Sequence, residues 1–364
     1  MMTAWFRRSR QTRTPVHSPP AAQLSREQGT RAAYRTLFVI QMAAQLLLWV
    51  SFYGYENAMQ TTWQAVLMLL LPLLALWALW RVGGSAVSTP MGARIALLLL
   101  PCLMLDAALL LYTTQSLLRQ IIPSYSPTLD ALLIAIFCFL TVCLGKQNGV
   151  AFGANCLWGL LLLLFLFSTL LLDADANPVR LWPLLGQGLQ HTAMQALSGV
   201  GSLWGIALLF ILPLGKPTEM RSPMHPRMRT LLWALIPLGL GFIWALSYSM
   251  VRPWRIGDVM TDGQRLLLLG QQSNRVFLSQ FPFLLLLLLP PVALSGCVMS
   301  GEKLLRNAAP KCPRSVAAAL LLLPAVVLVL AFPAGPLAFL QALLPFRTAL
   351  SALTGGLMLI IAKK

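Results

Sequence analysis

Residues Ala96–Leu118 read ALLLLPCLMLDAALLLYTTQSLL, an apolar run interrupted by a single charge, Asp106. A helix needs roughly 20 apolar residues to cross a bilayer, and this stretch supplies them. A carboxyl near the middle of such a helix costs at least ~2.5 kcal/mol on insertion scales, so it faces a bundle interior rather than lipid. The run therefore announces both a membrane helix and neighbours that shelter its acid.

Comparable runs fill most of the chain. The spans read from them are Tyr34–Phe52, Thr62–Trp80, Ala96–Leu118, Ala131–Leu144, Val150–Leu172, His191–Leu212, Thr230–Met250, Val276–Ser300, Val316–Phe332 and Leu337–Ala362. The fourth is short and must borrow from its flanks. Pro333–Gly335 alone separates the last two. Hydrophobic residues make up 58% of the sequence and charged residues 10%, against about 25% charged in soluble domains. The expectation is an all-α polytopic membrane protein of about ten transmembrane helices. Residues 1–32, basic and carrying Pro15, Pro19 and Pro20, read as a disordered cytoplasmic tail, and residues 33–364 as the transmembrane domain.

The formal net charge of +17 does not imply nucleic acid, because the positives fall at the ends of apolar runs. With the amino terminus inside, the inner segments hold twenty of the 27 Lys and Arg and the outer loops six, while Arg347 lies in the last span. That bias places both termini in the cytoplasm. The acids Glu56, Asp130, Asp173, Asp175, Asp258 and Asp262 then lie outside. Six cysteines without a CxxC argue against a disulfide framework or a metal centre. There is no HExxH, GxSxG, P-loop or GxGxxG, and His17, His191 and His225 are far apart, so no enzyme, catalytic residue, metal or cofactor is expected.

Three stretches resemble, in order, the spore germination permease family, the membrane-embedded B subunit of GerA-type nutrient germinant receptors. YGYENAMQTTWQAVLMLLLPLLALWALWRV (residues 53–82) resembles the family's second span. SPTLDALLIAIFCFLTVCLGKQNGVAFGAN (126–155) resembles its fourth and fifth. LLLDADANPVRLWPLLGQGLQHTAMQALSGVGSLWGIALLFILPL (170–214) resembles its acidic-Asn loop, Pro-Leu-x-Gly-x-Gly element and small-residue sixth span. The resemblance covers about residues 33 to 364. It implies the fold of amino-acid/polyamine/organocation transporters, with two inverted five-helix repeats, interrupted first and sixth spans, and a ligand bound between them. It also implies the spore inner membrane, a small nutrient such as an amino acid as ligand, and A-type and C-type receptor subunits as partners beside the membrane lipids. The alternatives are an amino-acid permease of the same fold and a structural subunit with a vestigial pocket. The sequence departs from the family at three places. Gln41, Ala43, Ala44 and Gln45 stand where the first span usually has glycine. Gly205-Ile206 replaces a Gly-Glu pair, and Ser279-Gln280 an Arg-x-Glu-like pair.

The candidate ligand-binding residues follow. Ser198, Gly199, Gly201 and Ser202 let backbone open and expose N–H groups to an anionic group such as a carboxylate; the same residues suit a close helix-packing face. Trp204, in the same span, is a pocket wall, core residue or lipid anchor. Asp106 binds a ligand amine or a cation, or else satisfies a polar neighbour. Gln41 and Gln45 share one face of the first span, with Ala44 beside them, and their amides need partners from another helix or from a ligand.

Overall fold

The computed structural model describes residues 21–49, 62–74, 90–121, 126–174, 177–181, 188–200, 226–251, 280–331 and individual positions between 346 and 360. Among the described residues the regular structure is helical throughout. In chain order the helices are α1 (Ala21–Leu48), α2 (Thr62–Met68), α3 (Pro90–Ala96), α4 (Leu100–Ile121), α5 (Pro127–Leu144), α6 (Lys146–Ala174), α7 (Leu189–Val200), α8 (Pro226–Val251), α9 (Gln280–Ala308) and α10 (Arg314–Ala331). Near the carboxyl terminus Phe346, Arg347, Ala349, Leu350, Leu353, Thr354, Leu357 and Ile360 are helical. Among the described residues four helices are long and apolar enough to cross a membrane: Arg94–Arg119, Gly149–Leu170, Leu284–Ala308 and Arg314–Ala331. Apolar helices in this number make the chain an integral membrane protein.

Helix boundaries follow local chemistry. Three 3-10 residues, Leu97–Leu99, join α3 to α4. Pro101 in the first turn of α4 has no N–H to return to Leu97, and the tighter winding absorbs that gap. The short fourth span does borrow from its flank: α5 starts at Pro127, and the Ser126 side chain accepts from the Leu129 N–H at 3.2 Å. That is an N-cap followed by proline at the first helical position. At the other end of the chain α9 runs on to Ala308, beyond the expected end at Ser300, because nothing between Ser300 and Asn307 breaks a helix. Glu302, Lys303 and Arg306 are therefore helical, and the turn to α10 is confined to residues 309–313.

Helix α1 differs from expectation at its start and in its middle. It begins at Ala21, inside the stretch read as tail, and it is continuous to Leu48. The resemblance implies an interrupted first span, and across Gln41–Gln45 there is no interruption. The reason is composition: Gln, Met and Ala are good helix formers, and between Thr30 and Leu48 there is neither Gly nor Pro.

The core sits around α1. From Thr36 to Trp49 every side chain is buried, which marks a helix enclosed on all sides. It lies against α6, α9 and α8, while α9 also packs on α4, α6 and α10. On the periphery, α5 turns Leu132, Leu133, Ile136 and Phe137 outward, and α6 exposes Leu160, Leu163, Leu166 and Leu170. Those apolar faces suit lipid.

Candidate functional site

Gln41, Gln45 and Trp49 follow one another at four-residue intervals, so they form one stripe along α1. Each turns to a different neighbour. Gln41 Nε2 donates to Cys297 Sγ on α9 at 2.8 Å. Gln45 Nε2 donates to Asp106 Oδ2 on α4 at 3.1 Å. The Trp49 ring lies against Gly199 on α7, where an added Cβ would stand 2.8 Å from Cζ2. Gly296 is close for the same reason: a Cβ there would meet Leu37 Cδ1 at 3.1 Å and Gln41 Oε1 at 3.4 Å.

The centre of the stripe holds charge. Arg347, from the carboxyl-terminal helical stretch, places Nη2 2.7 Å from Asp106 Oδ1. The same nitrogen donates to Gln45 Oε1 at 3.0 Å. Asp106 and Arg347 are only 2% and 3% exposed, so the two charges neutralise each other in a water-poor interior, as buried ions must. A second contact fixes Arg347 from the same face of α4: Cys102, one turn before Asp106, donates through Sγ to the Arg347 carbonyl at 3.7 Å. Three buried polar atoms of the site have no hydrogen-bond partner among the described residues: Gln41 Oε1, Arg347 Nε, and Asp106 Oδ1, whose contact with Arg347 Nη2 is an ion pair.

The sequence candidates divide into three groups. Gln41, Gln45 and Asp106 come together, as their chemistry required. Ala44 is wholly buried on α1 and belongs to the apolar core. Gly199 is a packing glycine against Trp49, the close-approach role of small residues in membrane helices; Ser198 is helical beside it. Gly201, Ser202 and Trp204 lie outside the described residues. Sequence reasoning missed Arg347, Cys102 and Cys297. The first had a signal: the span that ends at Ala362 contains one internal base, the only one to set against the one acid of the third span.

A separate polar cluster caps one end of α9. Glu302, fully buried, pairs through Oε1 with Arg306 Nη1 at 3.1 Å and Arg314 Nε at 3.4 Å. Lys303 Nζ donates to the Tyr34 hydroxyl at 2.5 Å and sits 3.9 Å from that ring's centroid. These contacts tie α9 to α10 and to α1. Among the described residues no three His, Cys, Asp or Glu side chains are grouped so as to hold a metal ion.

No family model matches the chain, and no curated protein matches it. Among solved structures it is similar to two mutant forms of the manganese transporter of Eremococcus coleocola. Each is 13% identical, covering 92% of this chain and 77% of the other, with a TM-score of 0.49.

Proposed function

We propose that the chain is the membrane subunit of a spore germinant receptor, binding a small nutrient, an amino acid, within its helical bundle and passing the signal to A-type and C-type subunits. One observation carries the reading: an acid, two amides and a guanidinium are gathered at the centre of a bundle made almost wholly of apolar side chains. Such groups are expensive inside a membrane, and binding and transport sites are where the expense is met. Asp106 offers a carboxylate to an ammonium, Gln45 and Gln41 offer amides, and α7 meets the end of α1 through the Gly199–Trp49 contact. An amino acid presents complementary groups. The resemblance to germination permeases supplies the receptor role.

The test is a spore germination assay on a deletion strain with amino acids, sugars and nucleosides. Loss of the response to one nutrient, restored by the wild-type gene and not by Asp106→Asn, supports the reading. An unchanged response to every nutrient refutes it. A working permease of the same architecture is the second reading, and net flux of labelled amino acid into vesicles containing the purified chain distinguishes it from a sensor.

A further inference from the structure

The contact between Arg347 and Asp106 is unusual in how little of the guanidinium it uses. Arginine held by a carboxylate for purely architectural reasons commonly presents its fork, two parallel N–H groups on two oxygens. Here a single nitrogen, Nη2, serves both Asp106 Oδ1 at 2.7 Å and Gln45 Oε1 at 3.0 Å. Nε is left without a partner among the described residues, and Gln45, not arginine, takes the second carboxylate oxygen. The site is shaped around one cationic nitrogen. One helical turn away on the same face of α1, Gln41 Oε1 is a further buried acceptor with no partner among the described residues. A carboxylate and two amide oxygens suit a group that carries three N–H donors on one atom, which is a primary ammonium.

We infer that Arg347 is a tethered stand-in for the ligand's primary ammonium, and that ligand binds by displacing it from Asp106. The inference rests on the ligand-binding reading above and deepens it. The resting site keeps itself neutral because the protein supplies its own cation. An incoming ammonium takes over Asp106 and Gln45, and the positive charge of Arg347 is set free. Among the described residues, the segment that carries Arg347 then keeps the Cys102 contact to the Arg347 carbonyl and the packing of Leu350 on the core, and loses its ion pair. Binding is thereby coupled to release of one helical segment, which is the kind of two-state element a receptor needs. Arg347 is also a competitor, so it weakens apparent affinity by the fraction of molecules in which it occupies the site.

The experiment measures binding by calorimetry to the purified full chain in nanodiscs. The probes are a panel of free L-amino acids, ethylamine as the isolated ammonium and acetate as the isolated carboxylate. Proteins are the wild type, Arg347→Gln, Arg347→Lys and Asp106→Asn. The expected result is that Arg347→Gln binds the responsive amino acid and ethylamine about tenfold or more tightly than wild type, with acetate unchanged. Arg347→Lys, which keeps the charge and folds without an uncompensated acid, falls between the two. A second readout uses a variant with Cys102 as the sole cysteine: a small methanethiosulfonate reagent should modify it faster when the amino acid is present. Amino-acid binding that is weaker or unchanged in Arg347→Gln, or ethylamine binding equal in all proteins, overturns the displacement and leaves the ligand site standing. Failure of every free amino acid to bind wild type and Arg347→Gln alike overturns the ligand site itself, and the displacement with it.

Discussion

Removing Asp106 while leaving Arg347 should be among the most damaging single changes this bundle can suffer. The Asp106→Ala substitution strips a guanidinium that is 3% exposed of its one ion-pair partner among the described residues and frees the Gln45 amide that donated to Oδ2. An unpaired arginine at the centre of a membrane helix costs ~2.5–3.5 kcal/mol on insertion scales. Breaking a buried pair by deleting one member costs ~3–5 kcal/mol. Both estimates place the loss near 3 kcal/mol or above, with little left to offset it, because Arg347 Nε already lacks a partner among the described residues. The neutral double variant Asp106→Asn/Arg347→Gln keeps the volumes and removes both charges, so it should recover most of that loss, to within ~1–2 kcal/mol of wild type. The assay is unfolding of the purified chain in mixed micelles by SDS titration, run on both single variants and the double as a cycle. If Asp106→Ala costs less than ~1 kcal/mol, or if the double variant is no better than the single, the two charges are not coupled and the account of the site fails.

Gly199→Ala should destabilise by ~1–3 kcal/mol, since the new methyl falls 2.8–3.0 Å from three atoms of the Trp49 ring; trimming the ring with Trp49→Leu should suppress the defect in the same SDS titration. Gly301→Ala places its Cβ inside the Leu321 side chain where α9 crosses α10, and the companion change Leu321→Ala should relieve it, as read by thermal melting in nanodiscs. Glu302→Gln weakens the ties to Arg306 and Arg314 at the α9–α10 turn and should cost ~1–3 kcal/mol, with faster proteolysis at residues 309–313 as a second readout. Tyr34→Phe keeps the ring under Lys303 and loses only the hydroxyl, so it should cost ~0.5–1.5 kcal/mol and less than Tyr34→Leu by thermal melting.

The membrane character and the inward orientation of Asp106 were legible because both follow from local chemistry: a long apolar helix, and an acid that lipid cannot solvate. Gln41 and Gln45 were legible as a pair from helical spacing alone. Their partners were not. Cys297 lies 256 positions from Gln41 and Arg347 302 from Gln45, Cys102 meets Arg347 across 245 positions, and a single sequence carries no record of which distant helices meet. Arg347 was nonetheless within reach, since one buried acid and one buried base in otherwise apolar spans should be expected to find each other. Gly199 had two readings from sequence, an opened backbone or a close packing face, and the Trp49 ring against it is a packing contact that no local pattern reveals. The interrupted first span was implied by resemblance, and the run from Gln41 to Gln45 lacks the residues that would break it. The end of α9 was drawn too early because hydropathy falls at Gly301, whereas a single glycine lowers helix propensity without ending the helix, and the next proline is Pro310.

The separation of Gln45 from Arg347, 302 positions along the chain, has a consequence for biogenesis. As the polypeptide emerges, α1 and α4 enter the membrane with two amides and a carboxyl, and the base that balances the carboxyl has yet to be synthesised. Until Arg347 is made, the growing protein carries an unanswered polar seam. The insertion machinery, or water held beside it, must shelter that seam until the segment with Arg347 arrives and closes it. Charge neutralisation is thus a late event in assembly, and a ribosome-bound chain truncated before residue 346 is an immature membrane protein rather than a smaller version of the finished one.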